Sequence, residues 1–257
     1  RSNDVMLGRL YRYVTLILGM LPSQHEYKVM GLAPYGTEYH GRRSLNFFRN
    51  VNRVVGGEIH NTGELPDLYF SVKDALEGER FDGIAWGLQC YVEEMLCEWV
   101  RNNIQIHKLN NVILSGGVAQ NIKAVKALAD MPEVSSIWSG PITGDGSLGI
   151  GAAWLALRHH GLQSIIEGLD TVYLGTDGSK HEIDEVIERV RFMEGFEVIH
   201  HPSVNLVAGW IEGGQIIARY SGRMEFGQRA LGNRSILADP RRLESVERIN
   251  QKVKYRD

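Results

Sequence analysis

The chain has 257 residues, 43% of them apolar and 23% charged, with a net charge of −3. This is ordinary globular composition with ample material for a buried core, and the length fits one large domain or two smaller ones. The weak acidity excludes a global electrostatic pull on nucleic acid or on an acidic membrane, so any anion site has to come from a local cluster.

Ser2, Asn3 and Asp4 are good helix-capping types, and Leu7, Leu10, Tyr11, Val14 and Leu18 then recur at helical spacing, which predicts a first helix. The apolar run over 13–21 is far short of the roughly 20 residues of a membrane span, and it lacks the flanks of a secretory signal. Glycine and proline in GLAPYG (31–36) should stop any helix there. Residues 36–82 are charged and weakly patterned, and are expected to form loops and short strands. The clearest helix covers 83–104, where Leu88, Tyr91, Val92, Met95, Leu96, Trp99 and Val100 make one apolar stripe, the mark of core packing. Cys90 and Cys97 on that helix would be about 10 Å apart. That exceeds the roughly 7 Å Cα reach of a disulfide, and both are expected as reduced core thiols of a cytoplasmic protein.

A strand at 111–117, a helix near 119–129 ending before Pro132, a strand at 133–139 and a loop feeding a helix across 144–161 follow. Residues 161–171 read as a junction. Beyond it the pattern restarts with a helix at 182–193, a strand at 196–200, a helix at 203–213 and a strand at 215–221. This alternation predicts a second α/β unit.

Four stretches could carry chemistry. In LSGGVAQN (114–121), a strand runs into Gly116-Gly117 and then a helix, so bare backbone and free helix N–H groups can approach an anion or a polar ring; such turns also serve plain packing. In TGDGSLGIGAA (143–153), four glycines surround Asp145, which fits either a helix cap or a carboxylate that binds a metal or a ribose. In HEYKVMGLAPYG (25–36), Glu26 and Lys28 read first as a surface ion pair. The stretch GRMEFGQRALGNRSILADPRR (222–242) holds five arginines and no lysine, with glycines at 222, 227 and 232. Arginine's planar fork matches phosphate or carboxylate bidentately, and a glycine-hinged turn around Gly232 could aim Arg229 and Arg234 at one small anion. Asn233 and Ser235 would add neutral donors, and Glu225 could orient an arginine from behind. The competing reading is a solvated loop with surface ion pairs. A nucleic-acid groove fits poorly, because the stretch has few aromatics to stack bases.

These stretches, in their order along the chain, resemble the NodU/CmcH/TobZ-type O-carbamoyltransferases, and the resemblance covers nearly the whole chain. It implies an α/β protein. Residues 1–165 would be the later part of a Kae1-like domain of the actin/Hsp70 (ASKHA) ATPase fold, and 170–257 the start of a YrdC-like domain. It implies ATP-dependent transfer of a carbamoyl group from carbamoyl phosphate, through carbamoyl adenylate, to a hydroxyl of a sugar or secondary metabolite. On this resemblance Arg229, Arg234 and Ser235 would grip the phosphate of carbamoyl phosphate. Gly116, Gly117 and Asn121 would lie against adenosine, and Glu26 and Lys28 near the nucleotide. Asp145 would share a divalent metal, iron or magnesium, with two histidines.

The match also has gaps. The His-x-x-x-His pair that such a metal needs is absent, and His159-His160 and His200-His201 have the wrong spacing for one helix face. Gln228 stands where the family usually has proline before the first arginine, and Val125 where it often has asparagine. The resemblance therefore implies an internal fragment, inactive in transfer by itself and poor at loading metal. A sugar kinase or a nucleotide-binding regulatory protein of the same superfold is the alternative that the two glycine motifs allow.

Overall fold

The computed structural model describes residues 7–255 except 64, 141, 163 and 165–169. The capping role of Ser2, Asn3 and Asp4, and part of the 161–171 junction, lie outside the described residues. The chain divides into two compact units, residues 1–160 and 161–257.

The first unit is built around one long helix. Its elements are α1 (Leu7–Ile17), α2 (Glu26–Leu32), α3 (Glu38–Arg49), β1 (Asn52–Val55), β2 (Glu58–Asn61), α4 (Leu68–Leu76), α5 (Phe81–His107), β3 (Asn111–Leu114), α6 (Ile122–Ala129), β4 (Ser136–Ser139) and α7 (Leu148–His159). On α5 the residues Leu88, Tyr91, Val92, Met95 and Val100 of the expected stripe are buried, while Leu96 and Trp99 are half-buried at its flank. On α1 the buried residues are Leu7, Leu10, Tyr11, Val14 and Thr15, and Leu18 falls just past the helix end.

The expectation of loops and short strands over 36–82 is corrected. Besides the β1–β2 hairpin, the segment holds α3 and α4, each capped by its preceding residue: Thr37 accepts the His40 N–H, and Asp67 accepts the Phe70 N–H at 3.0 Å. Both caps satisfy an orphan donor of the first turn. The inner face of α3 is Gly41, Ser44, Leu45 and Phe48. Small residues there let α3 lie directly on α5. A Cβ on Gly83 would stand 2.3 Å from the His40 carbonyl oxygen, and one on Gly87 2.8 Å from the Leu45 nitrogen. GLAPYG does not stop α2 at once either; the helix runs through Gly31 and tightens into a single turn over Ala33–Tyr35 before Gly36.

The β3–α6–β4 segment is a parallel pair joined by a helical crossover, with Asn111 to Leu114 in register with Ser136 to Ser139. Val112, Leu114 and Ile137 pack toward the cluster around Val100, Leu128 and Met131. Ile113 and Trp138, on the opposite face, are exposed.

The second unit contains α8 (Lys180–Arg191), α9 (Val204–Glu212), the antiparallel pair β5 (Ile217–Tyr220) and β6 (Arg234–Leu237), and α10 (Leu243–Arg248). Ser179 and Glu182 form a full capping box on α8, and Ser203 caps α9. The expected strand over 196–200 does not form; those residues have no strand partner, and the helices flanking it carry no buried residue to hold it. Arg234 and Ser235, expected on a loop, open β6 instead, opposite Tyr220 and Arg219.

Candidate functional site

In the first unit the two glycine motifs come together at the C-terminal ends of β3 and β4. The Gly116 N–H donates to the Thr143 carbonyl at 2.8 Å, and a Cβ on Gly144 would meet the Gln120 amide at 3.2 Å. Gly116 holds φ +98° and ψ 164°, a conformation open in practice to glycine alone. A Cβ on Gly116 or Gly117 would meet nothing within 4 Å, so bare backbone faces open space. The ends of parallel strands are where open α/β sheets usually receive ligands. Thr143 adds a polar group there: it is 7% exposed, and its Oγ1 has no hydrogen-bond partner among the described residues.

Asn121 closes the first turn and faces inward. Its Nδ2 donates to Tyr11 Oη at 3.0 Å and to Gln89 Oε1 at 2.9 Å, while its Oδ1 accepts from Gln89 Nε2 and from the Ala124 N–H, both at 3.1 Å. Tyr11 Oη also donates to Gln89 Oε1, and Gln89 Nε2 donates to Glu93 at 2.7 Å. Asn121 is therefore engaged on every side inside the protein, and the first turn of α6 is capped by it rather than left with all its N–H groups free. Burial pushes the Tyr11 phenol well above its ordinary range, so it stays a neutral hydroxyl.

Asp145 opens a one-turn helix over Asp145–Ser147 and is exposed. Among the described residues no group of three His, Cys, Asp or Glu gathers where a metal ion could be held. A lone carboxylate does not fit a divalent metal, which takes several ligands. Glu26 and Lys28 do not form the expected surface pair: Glu26 accepts the Ser23 N–H, and no Glu26–Lys28 bridge forms. Two residues apart on α2 they face different sides. Cys90 and Cys97 are free thiols on α5, and burial raises Cys90 to about 11.

In the second unit the arginine stretch is mostly its own partner. Gly222, Gly227 and Gly232 all have positive φ, which supplies its bends. The Arg234 guanidinium lies 3.5 Å over the Tyr220 ring, its neighbour across the β5–β6 pair. It also donates to the carbonyls of Ser221 (3.0 Å), Asn233 (3.1 Å) and Thr176 (3.3 Å). Ser235 Oγ accepts the Gly232 N–H at 2.9 Å. Arg223 binds the Gly175 carbonyl, and Arg242 the Glu212 carbonyl. Arg241 forks onto the buried Asp239, whose carboxyl is held at about 2 first by that side-chain bond and then by the Arg241 N–H. Arg229 is exposed, as are Arg223, Arg241 and Arg242, but it differs from the other four in making no hydrogen bond or ion pair among the described residues.

Glu225 does not pair with an arginine side chain. Its Oε1 accepts the N–H groups of Leu231 (2.9 Å), Asn233 (2.7 Å) and Arg234 (3.1 Å). Burial works against its charge, but bonds from backbone N–H groups overcome it and hold the carboxyl at about 2. Nothing in the bare sequence distinguished Tyr220 or this use of Glu225, because both depend on the register of two four-residue strands.

A cleft of about 370 Å³ lies between α3 and α5, with Cys90 on its wall and none of the sequence-predicted site residues lining it. Its walls carry the ion pairs Arg42–Glu38 and Arg49–Glu94, two charges of each sign that answer one another.

Residues 2–154 match the family described as carbamoyltransferase N-terminus, and 208–257 the carbamoyltransferase C-terminus. The nodulation protein NolNO of Sinorhizobium fredii is 33% identical over 98% of this chain and 37% of its own length. The nodulation protein NolO of Bradyrhizobium diazoefficiens is 31% identical over 90% of the chain and 43% of its own length. An uncharacterised protein of Methanocaldococcus jannaschii is 29% identical over 97% of the chain and 42% of its length. The chain thus spans about two fifths of the length of the curated relatives it matches. With the N-terminal match covering more than half of its residues, and the C-terminal match following in order, the chain belongs to the carbamoyltransferase family.

Proposed function

We propose that the protein carrying this chain is an ATP-dependent O-carbamoyltransferase, with the first unit part of a Kae1-like nucleotide-binding domain of the actin/Hsp70 fold and the second the start of a YrdC-like domain. Water attacks carbamoyl phosphate and releases inorganic phosphate, an oxygen of the resulting carbamate attacks the α-phosphorus of ATP, and pyrophosphate leaves. A hydroxyl of a sugar or secondary metabolite then attacks the carbamoyl carbon and AMP leaves. The observation that carries this reading is the family membership together with an exposed, unshared guanidinium at Arg229 on a shaped glycine turn.

Arg229 would meet the phosphate of carbamoyl phosphate directly, and the charge gathering on that phosphate is what a preorganised donor stabilises. Arg234 and Ser235 would contribute from the adjoining strand, Arg234 with the donor capacity that its three carbonyl contacts leave. Gly116 and Gly117 would receive the adenosine against bare backbone, with Thr143 Oγ1 as a polar contact and Asn121 holding the turn from beneath. Glu26 and Lys28 would lie near the nucleotide. Asp145 would bind a metal only with donors from beyond the described residues. Full-length protein mixed with ATP and carbamoyl phosphate should release pyrophosphate. Formation of ADP alone, or of nothing, would overturn the reading in favour of a kinase or a regulatory nucleotide-binding protein.

A further inference from the structure

Three backbone N–H groups of one turn, from Leu231, Asn233 and Arg234, converge on a single oxygen of Glu225. Successive N–H groups aimed at one point form a concave anion site, the kind of backbone nest that elsewhere receives phosphate. Gly232, at φ +111°, provides the bend that turns its neighbours' N–H groups to the same side. Here the nest is filled from within the chain. The backbone of this turn is therefore not free to hold a substrate phosphate, and donors for an external anion have to come from side chains.

The side chain left over is Arg229, two residues before the first N–H of the nest. The turn that carries it is fastened at three further points: Tyr173 Oη donates to the Leu231 carbonyl, Asn233 Nδ2 to the Arg223 carbonyl, and the Gly232 N–H to Ser235 Oγ. Among the described residues, Glu225 is the only carboxylate that accepts from this turn. Removing it would leave three N–H groups without an acceptor and would let the turn relax before substrate arrives.

We propose that Glu225 is a positioning residue of the carbamoyl-phosphate site: its Oε1 fills the backbone anion nest of the 231–234 turn and thereby fixes the turn that presents Arg229. The inference rests on the reading of the arginine stretch given above. Bonds to a charged acceptor are the strong ones, and an anchor of this kind lowers the ordering cost of binding instead of touching the ligand.

The test uses the full-length protein and follows carbamoyl phosphate binding by calorimetry, together with the KM for each substrate and the thermal midpoint. In Glu225→Ala, carbamoyl phosphate should bind at least about tenfold more weakly, the scale of lost charge-assisted bonds, while the KM for ATP stays put. Glu225→Gln keeps an oxygen in the nest and should recover most of the loss. Added formate should restore Glu225→Ala but leave Arg229→Ala impaired, because formate can fill the nest but cannot replace a guanidinium. Unchanged carbamoyl phosphate binding in Glu225→Ala would overturn the inference. So would a parallel rise of both KM values, with a fall of the thermal midpoint, that neither glutamine nor formate reverses. Wild-type protein that does not bind carbamoyl phosphate would overturn the reading of the site itself, and the inference with it.

Discussion

In the first unit the buried side chains are mostly apolar, and every buried hydrophobic among the described residues, from Leu7 to Met131, lies there. In the second unit the buried side chains among the described residues are Asp239 and Ser245. One unit is held by volume, the other by bonds from guanidinium groups to carbonyls and carboxylates. The contrast changes how the arginine-rich stretch is understood. Four of its five arginines cross-link the second unit to itself, the task that packed aliphatic side chains perform in the first. Among the described residues, Arg229 alone of the five faces outward without a partner.

The sharpest way to break this comparison is to remove volume from each unit. Phe48 is fully buried and stacks on Tyr91. Phe48→Ala should cost about 3–5 kcal/mol in chemical denaturation, whereas Leu206→Ala on the exposed side of α9 should cost under about 1 kcal/mol. Similar losses from both would dissolve the distinction. Glycine substitutions sharpen it next. Gly83→Ala drives a methyl into the His40 carbonyl and should destabilise the first unit by about 1–3 kcal/mol. Gly209→Ala in the middle of α9 meets nothing within 4 Å, and should raise stability by about 0.5–1 kcal/mol.

Acid should act on the second unit through its carboxylates. Glu225 and Asp239 titrate near 2 in the folded protein, below their ordinary 4.5 and 3.8. A depressed carboxylate contributes stability that is present above its unfolded value and is lost as pH falls through the folded one. Amide signals of residues 225–241 should therefore broaden between about pH 4.5 and 2, and Glu225→Gln should flatten that dependence. Retention of those signals to pH 2 would contradict it. The smallest expected effect is that of Arg229→Ala on stability, within about 0.5 kcal/mol by thermal melting, since the side chain supports nothing.

What could be read directly from the sequence follows the same division. The stripe on α5 was legible because five of its seven residues are large, apolar and buried. α3 was not, because its inner face substitutes Gly41 and Ser44 for large apolar groups, and the close approach to α5 that makes this work is a tertiary fact. The segment 196–200 has strand-like composition but no partner strand, and pairing rather than propensity decides whether a strand exists. The two glycine turns were legible as places of close backbone approach. Their joining through Gly116 and Thr143 was not, since it depends on β3 and β4 lying parallel. The resemblance sets Asn121 against adenosine; its amide bonds to Tyr11 and Gln89, partners too far away in sequence to be foreseen.

That last network has a kinetic consequence. Asn121 is bound to Tyr11 across 110 positions and to Gln89 across 32. Closing so long a stretch of chain is entropically expensive and late. The glycine turn that Asn121 ends can therefore take its final shape only after α1 and α5 have docked, which makes it a product of folding and not one of its seeds.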